Sequence, residues 1–184
     1  ELNYITSCKR YSDIHEHLPI LYKYACQVKH ITELGVGPGN STAAFMYARP
    51  KKFITYDILS NGRVQEFIKL AKSEGLDYTY HVASTLEVDI EPTDFLFIDS
   101  KHTYEQLKEE LKLHADKVST YLGFHDIQKY GYNDEDNIYD KYSDTFKVGL
   151  LPAIAEFLTE QSGQWSVEHF ATHNNGLLIL KRNV

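Results

Sequence analysis

At 184 residues, with 42% hydrophobic and 24% charged positions, the chain has the size and make-up of one globular domain rather than of a disordered or fibrous protein. A formal net charge of -7 gives no bulk electrostatic attraction for nucleic acid. No apolar run approaches the ~18 residues of a membrane span, and the two cysteines, Cys8 and Cys26, fit neither a disulfide scaffold nor a CxxC motif, which points to free thiols in a reducing, cytoplasmic setting.

No repeat or linker divides the sequence, so residues 1–184 read as a single domain with 1–29 as a helical lead-in. Within that lead-in, Ile14, Leu18, Leu21, Tyr22 and Ala25 recur at helical spacing over 13–28, with Pro19 as a kink. His30–Leu34 reads as a strand, 35–39 as a glycine turn, and Ser41 and Thr42 as the cap of a helix through Ala43 and Met46. A second strand over Lys52–Asp57 is followed by a helix over 63–74 that Gly75 stops. Tyr78–Val82 makes a third strand. The apolar run over 94–99, bounded by acids, suits a central parallel strand covered on both faces. A helix over 104–118 carries Leu107, Leu111 and Ala115, and 121–125 forms a fifth strand. This alternation predicts right-handed crossovers and an α/β, Rossmann-like open sheet, mostly parallel, with helices on both faces.

Two later segments differ. Residues 128–147, rich in Tyr, Asp and Asn with little periodicity, suit a solvated loop or a substrate lid. Segments 165–170 and 177–180 flank Asn174, Asn175 and Gly176, a hairpin signal that adds an antiparallel strand near the C-terminus.

The strongest local signal is the turn Glu33-Leu34-Gly35-Val36-Gly37-Pro38-Gly39. Glycines at alternate positions let backbone approach a ligand, and the following helix offers unpaired amides. A dinucleotide loop wants G-x-G-x-x-G, whereas Asn40 stands three residues beyond Gly37. Glu33 would accept a hydrogen bond from a ligand ammonium and would repel a pyrophosphate, so a cationic cofactor is favoured over NAD. Asp57 ends the second strand, where an acid can hold the two hydroxyls of a ribose, and Ser84 follows the third strand at the expected adenine end.

These residues resemble the first two cofactor motifs of the class I S-adenosylmethionine-dependent methyltransferases, and the likeness runs over nearly the whole chain. It narrows at Phe97-Ile98-Asp99-Ser100-Lys101-His102-Thr103-Tyr104-Glu105 and Gly123-Phe124-His125-Asp126. Those stretches resemble the small-molecule O-methyltransferases grouped with cephalosporin hydroxylase-like and macrocin-type enzymes. The resemblance implies that Asp99 and Asp126 hold a magnesium ion, that His102 serves as general base, and that Asp99 also belongs to the cofactor site.

The residues support such a site independently. Asp99 and Asp126 end neighbouring strands on the ligand-binding edge, so their carboxylates can converge on one hard cation. An unperturbed histidine titrates near ~6.5, which suits His102 to proton removal. The sequence departs from the metal pattern at His125, which stands where metal-dependent relatives often carry a second acid. A neutral imidazole suits manganese, iron or zinc better than magnesium. The expected function is O-methylation of a small-molecule acceptor such as a sugar or natural product. Nucleic acid and membrane are not expected partners, and a homo-oligomer is compatible with the composition. The competing readings are a non-catalytic cofactor-binding module of the same fold and an NAD-dependent oxidoreductase.

Overall fold

The computed structural model describes residues 2–60, 62–136 and 148–183. Seven strands, β1 (His30–Leu34), β2 (Lys52–Asp57), β3 (Tyr78–Val82), β4 (Thr93–Ile98), β5 (Val118–His125), β6 (Trp165–Ala171) and β7 (Leu177–Arg182), form one sheet in the order β3-β2-β1-β4-β5-β7-β6. Neighbours from β3 to β5 pair in parallel, and β7 runs antiparallel to both β5 and β6. The described helices are α1 (Leu2–Lys9), α2 (Leu18–Ala25), α3 (Asn40–Ala48), α4 (Gly62–Glu74), α5 (Tyr104–His114) and α6 (Leu150–Glu160). Among the described residues, no helix is long and apolar enough to cross a membrane.

Strand alternation splits the core into two layers. Phe95 and Phe97 of β4 face α2, α3 and α4, where the Phe45 ring meets Phe53, Phe95 and Phe97 edge-on at centroid distances of 5.7, 5.6 and 5.4 Å. Leu96 and Ile98 face the opposite layer, against Leu107 and Leu111 of α5 and Ile154 and Phe157 of α6. Each such fully buried side chain contributes about 1.5 to 3 kcal/mol of transfer free energy. That double coverage is why β4 reads as an unbroken apolar run.

The structure departs from the periodicity in the lead-in and around α5 and α6. The expected helix over 13–28 is shorter, because a 3₁₀ turn over His15–His17 precedes α2, and Pro19 sits in the first turn of α2 instead of kinking it. Proline fits there because the first amides of a helix need no intrahelical partner. Residues 115–117 tighten into a 3₁₀ turn, so β5 starts at Val118 rather than at 121. Helix α6 buries Leu150, Ala153, Ile154 and Phe157, a helical spacing without a side-chain cap to announce it. The hairpin turn has the positive backbone angles expected of its residues, with φ of 47° at Asn174, 68° at Asn175 and 94° at Gly176.

Candidate functional site

Strand order reverses between β1 and β4, since β1 connects onward to β2 on one side while β4 lies on the other. In open α/β sheets such a switch point leaves a crevice beyond the strand carboxyl ends. A cleft of about 440 Å³ opens there, with Gly35, Gly37, Asp57, Ser84, Asp99 and His102 among its walls. Residues of both the cofactor and the acid-histidine motifs therefore meet in one place, while Glu33, Gly39 and Asp126 do not line the cleft. A groove of about 500 Å³ between α5 and α6 is walled by Lys108, Lys112, Glu156 and Glu160 and holds none of them.

The glycine turn crosses the end of β4 at very short range. A Cβ at Gly35 (φ 86°) would lie 2.1 Å from the Asp99 carbonyl oxygen, whereas one at Gly37 (φ 47°) would meet nothing within 4 Å. Gly35 is thus fixed by the close passage of two backbones, and Gly37 leaves open space over the cleft. Gly39, the third glycine of the motif, takes φ 74° as the residue that opens α3. Asp57 holds the turn: its Oδ2 accepts from the amides of Val36 at 2.8 Å and Gly37 at 3.0 Å, and its Oδ1 accepts from Leu59 at 3.0 Å. Ser84 lines the cleft and accepts from the Leu86 amide at 3.3 Å.

Glu33, the residue expected to meet a ligand ammonium, has its carboxylate engaged within the protein. It is fully buried, and its oxygens accept the hydroxyls of Ser41 at 2.5 Å and Thr42 at 2.7 Å, so it clamps the first turn of α3 to β1. Burial, only partly offset by those two hydrogen bonds, pushes its carboxyl up to about 8. A group that is largely neutral and enclosed offers little to a ligand cation.

Beyond β4 and β5 the acids and histidines converge. His102 Nε2 lies 3.2 Å from Asp99 Oδ1 and 3.0 Å from Asp126 Oδ2, while His125 Nδ1 lies 3.2 Å from Asp99 Oδ1 and 3.5 Å from Asp126 Oδ2. Asp126 adopts φ 60°, an uncommon backbone state for a non-glycine residue, and is buried with its Oδ1 lacking a hydrogen-bond partner. Burial works against charge here, but the His125 charge and the His102 hydrogen bond outweigh it and hold Asp99 down at about 2. Asp126 is likewise held well below the usual carboxylate range by His102 and His125, against its burial. His102 is pushed up to about 10, its burial outweighed by hydrogen bonds to Asp126 and Asp99. His125 rises to about 11, its burial outweighed by the Asp99 charge and by hydrogen bonds to both acids. In this cluster both rings carry a proton, so the unperturbed value does not describe His102.

Glu135 lies in a segment without periodicity or motif and yet reaches the site. Its Oε2 accepts from His102 Nδ1 at 3.2 Å and from the His102 amide at 3.1 Å, and the Tyr130 ring stacks on His102 with centroids 4.8 Å apart. Residues 128–136 of the expected lid segment thus pack against the site. Residues 137–147, with Tyr139 and Tyr142, lie outside the described residues. Glu110 belongs to the amphipathic pattern of α5, where a charge ordinarily faces water. It is buried instead, accepting from Thr85 at 2.5 Å, Ser100 at 2.6 Å and Gln106 at 2.9 Å, three residues that line the cleft.

The donor chemistry bears directly on magnesium. Among the described residues, Asp99, His125 and Asp126 present ligand atoms within 4.8 Å of one another. Magnesium takes oxygens in octahedral geometry and keeps several waters. An imidazole nitrogen facing both carboxylates does not suit it.

No family model matches the chain, and no curated protein matches it. Solved structures do. An SAH-bound methyltransferase from Podospora anserina is 12% identical with a TM-score of 0.63, over 99% of this chain and 86% of that one. An O-methyltransferase from Bacillus cereus in complex with SAH is 14% identical at 0.63, over 91% and 81%. The N-methyltransferase NodS from Bradyrhizobium japonicum is 14% identical at 0.61, over 93% and 96%. With its strand order, its glycine turn at the switch point and these likenesses, the chain has the fold of the class I S-adenosylmethionine-dependent methyltransferases.

Proposed function

We propose that the protein is an S-adenosylmethionine-dependent O-methyltransferase acting on a hydroxyl of a small molecule. The observation that carries this reading is the single cleft in which the glycine turn and Asp57 face Asp99 and His102. The cofactor would lie over Gly35 and Gly37, with its ribose toward Asp57 and its sulfonium methyl toward Asp99. An acceptor hydroxyl at the His102 end attacks that methyl in line. An oxygen–carbon bond forms, the sulfur–carbon bond breaks, the sulfur becomes a neutral thioether, and the hydroxyl proton passes to His102 Nε2. An acceptor that enters between His102 and the carboxylates weakens the ion pairs that keep the ring charged, and so frees it to act as a base. The negative charge around the site favours the cationic cofactor and disfavours an anionic acceptor.

Calorimetry with S-adenosylmethionine, followed by transfer of a labelled methyl to a panel of hydroxylated sugars and phenols, tests the reading. Binding together with transfer that Asp99→Asn abolishes without loss of fold is expected. Binding without transfer to any acceptor favours the non-catalytic module. Tight NADH binding in the absence of S-adenosylmethionine binding would favour the oxidoreductase.

A further inference from the structure

The acid-histidine cluster contains a donor set that methyl transfer by itself does not call for. His125 is buried, and its Nε2 lies 3.1 Å from the Asp13 carbonyl and 3.4 Å from the Asn174 carbonyl. Carbonyls only accept, so Nε2 donates to them, and Nδ1, on the side of Asp99 and Asp126, is the nitrogen that an incoming cation would take in place of its proton. Asp13 is held over the hairpin by its neighbours: the Asn174 side chain donates to Ser12 O at 2.8 Å and accepts from the Glu16 amide at 2.9 Å. A ring whose far nitrogen donates to fixed backbone acceptors has the orientation of a metal ligand. His102 repeats the pattern with a carboxylate, as its Nδ1 faces Glu135 and its Nε2 faces the same two acids.

A second observation points to a ligand independently of the cluster. Asp126 is 4% exposed, its Oδ1 has no hydrogen-bond partner, and its backbone sits at φ 60°. A buried, unpaired carboxylate oxygen in a strained position is costly unless something occupies the site. The spacing fits a small ion. For metal bonds of ~2.1 Å, the 3.2 and 3.5 Å separations from His125 Nδ1 to the two carboxylates subtend about 100° and about 113°, near tetrahedral.

We infer that Asp99, His125 and Asp126 form a binding site for a first-row transition-metal ion that accepts nitrogen ligands, zinc foremost, and not for magnesium. His102 stands at the open side of that site, where an acceptor oxygen would complete the coordination. The inference concerns the site of the proposed reaction and rests on that reading only for the use to which the ion is put.

The test is binding, measured on chelator-stripped protein without cofactor. Calorimetry with zinc chloride and with magnesium chloride should give one zinc ion per chain, at least about 100-fold tighter than magnesium. His125→Asp should weaken zinc about 100-fold and narrow or reverse the preference. Magnesium binding as tightly as zinc, no binding of either, or zinc binding unchanged in His125→Asp overturns the inference. The last result would assign the zinc to the other histidines of the chain. If His125→Asp does not fold by thermal denaturation, cobalt on the wild-type protein decides. The intense visible bands of a four- or five-coordinate site with nitrogen support the inference, and the pale spectrum of an octahedral oxygen site overturns it. A separate S-adenosylmethionine titration of the same stripped protein keeps failure of the metal site distinct from failure of the methyltransferase reading.

Discussion

Replacing Glu33 with glutamine separates a clamp from a ligand contact. The carboxyl titrates near 4.5 when exposed and near 8 in the folded chain, because burial outweighs the hydroxyls of Ser41 and Thr42. The sign follows from which state binds the proton. Between pH 4.5 and 8 the unfolded chain releases it and the folded chain keeps it, so wild-type stability falls as pH rises through that window. At 1.36 kcal/mol per unit, the loss reaches about 3 kcal/mol by pH 7 and levels off near 5 kcal/mol above pH 8. Glutamine cannot ionise, and its amide can still bridge the two hydroxyls. Urea denaturation at pH 5, 6, 7 and 8 should therefore show Glu33→Gln gaining on the wild type by up to about 1.4 kcal/mol per pH unit. S-adenosylmethionine affinity should change by less than about threefold. A difference in stability that stays constant from pH 5 to 8, joined with a tenfold or greater loss of cofactor affinity, would show an ionised Glu33 that holds the ligand, and the clamp would be refuted.

The turn glycines should respond unequally. Gly37→Ala meets no neighbour, costs about 1 kcal/mol of backbone strain, and should weaken cofactor binding with a small loss of Tm; Gly35→Ala, whose Cβ would lie 2.1 Å from the Asp99 carbonyl, should lose the native fold. Equal Tm values for the two variants would contradict that geometry. His17 is 1% exposed with its Nε2 2.9 Å from the His173 carbonyl, and its burial depresses it to about 4. The unfolded chain takes up a proton below pH 6.5 that the folded ring refuses until about 4, so acidification over that window costs the fold up to about 3 kcal/mol. His17→Gln should remove that share of the acid sensitivity, and an unchanged stability slope would place the proton elsewhere. Phe45→Ala removes a fully buried ring that meets three others and should cost about 3 to 5 kcal/mol in denaturant titrations; a loss below 1 kcal/mol would mean that the layer repacks.

The sequence alone determined the alternation of elements, the parallel core strands and the ligand edge. These depend on local period and turn chemistry: the apolar run of β4, Gly75 after α4 and the Asn-Gly turn before β7 each act within a few residues. It also named Gly35, Gly37, Asp57, Asp99, His102 and Asp126, because motif spacing sets which strand end each residue occupies. Tertiary structure decided what those residues touch. Glu33 clamps a helix because Ser41 and Thr42, eight and nine residues later, turn back onto it. Glu135 reaches His102 across 33 residues of a segment with no periodicity. The Nδ1 of His125 faces Asp99 and Asp126 because the backbone of Asp13, 112 residues away, accepts from its other nitrogen. Periodicity and spacing report which way an element faces. Hydrogen bonding between distant segments, which decides what each of these side chains touches, depends on how the chain packs back on itself.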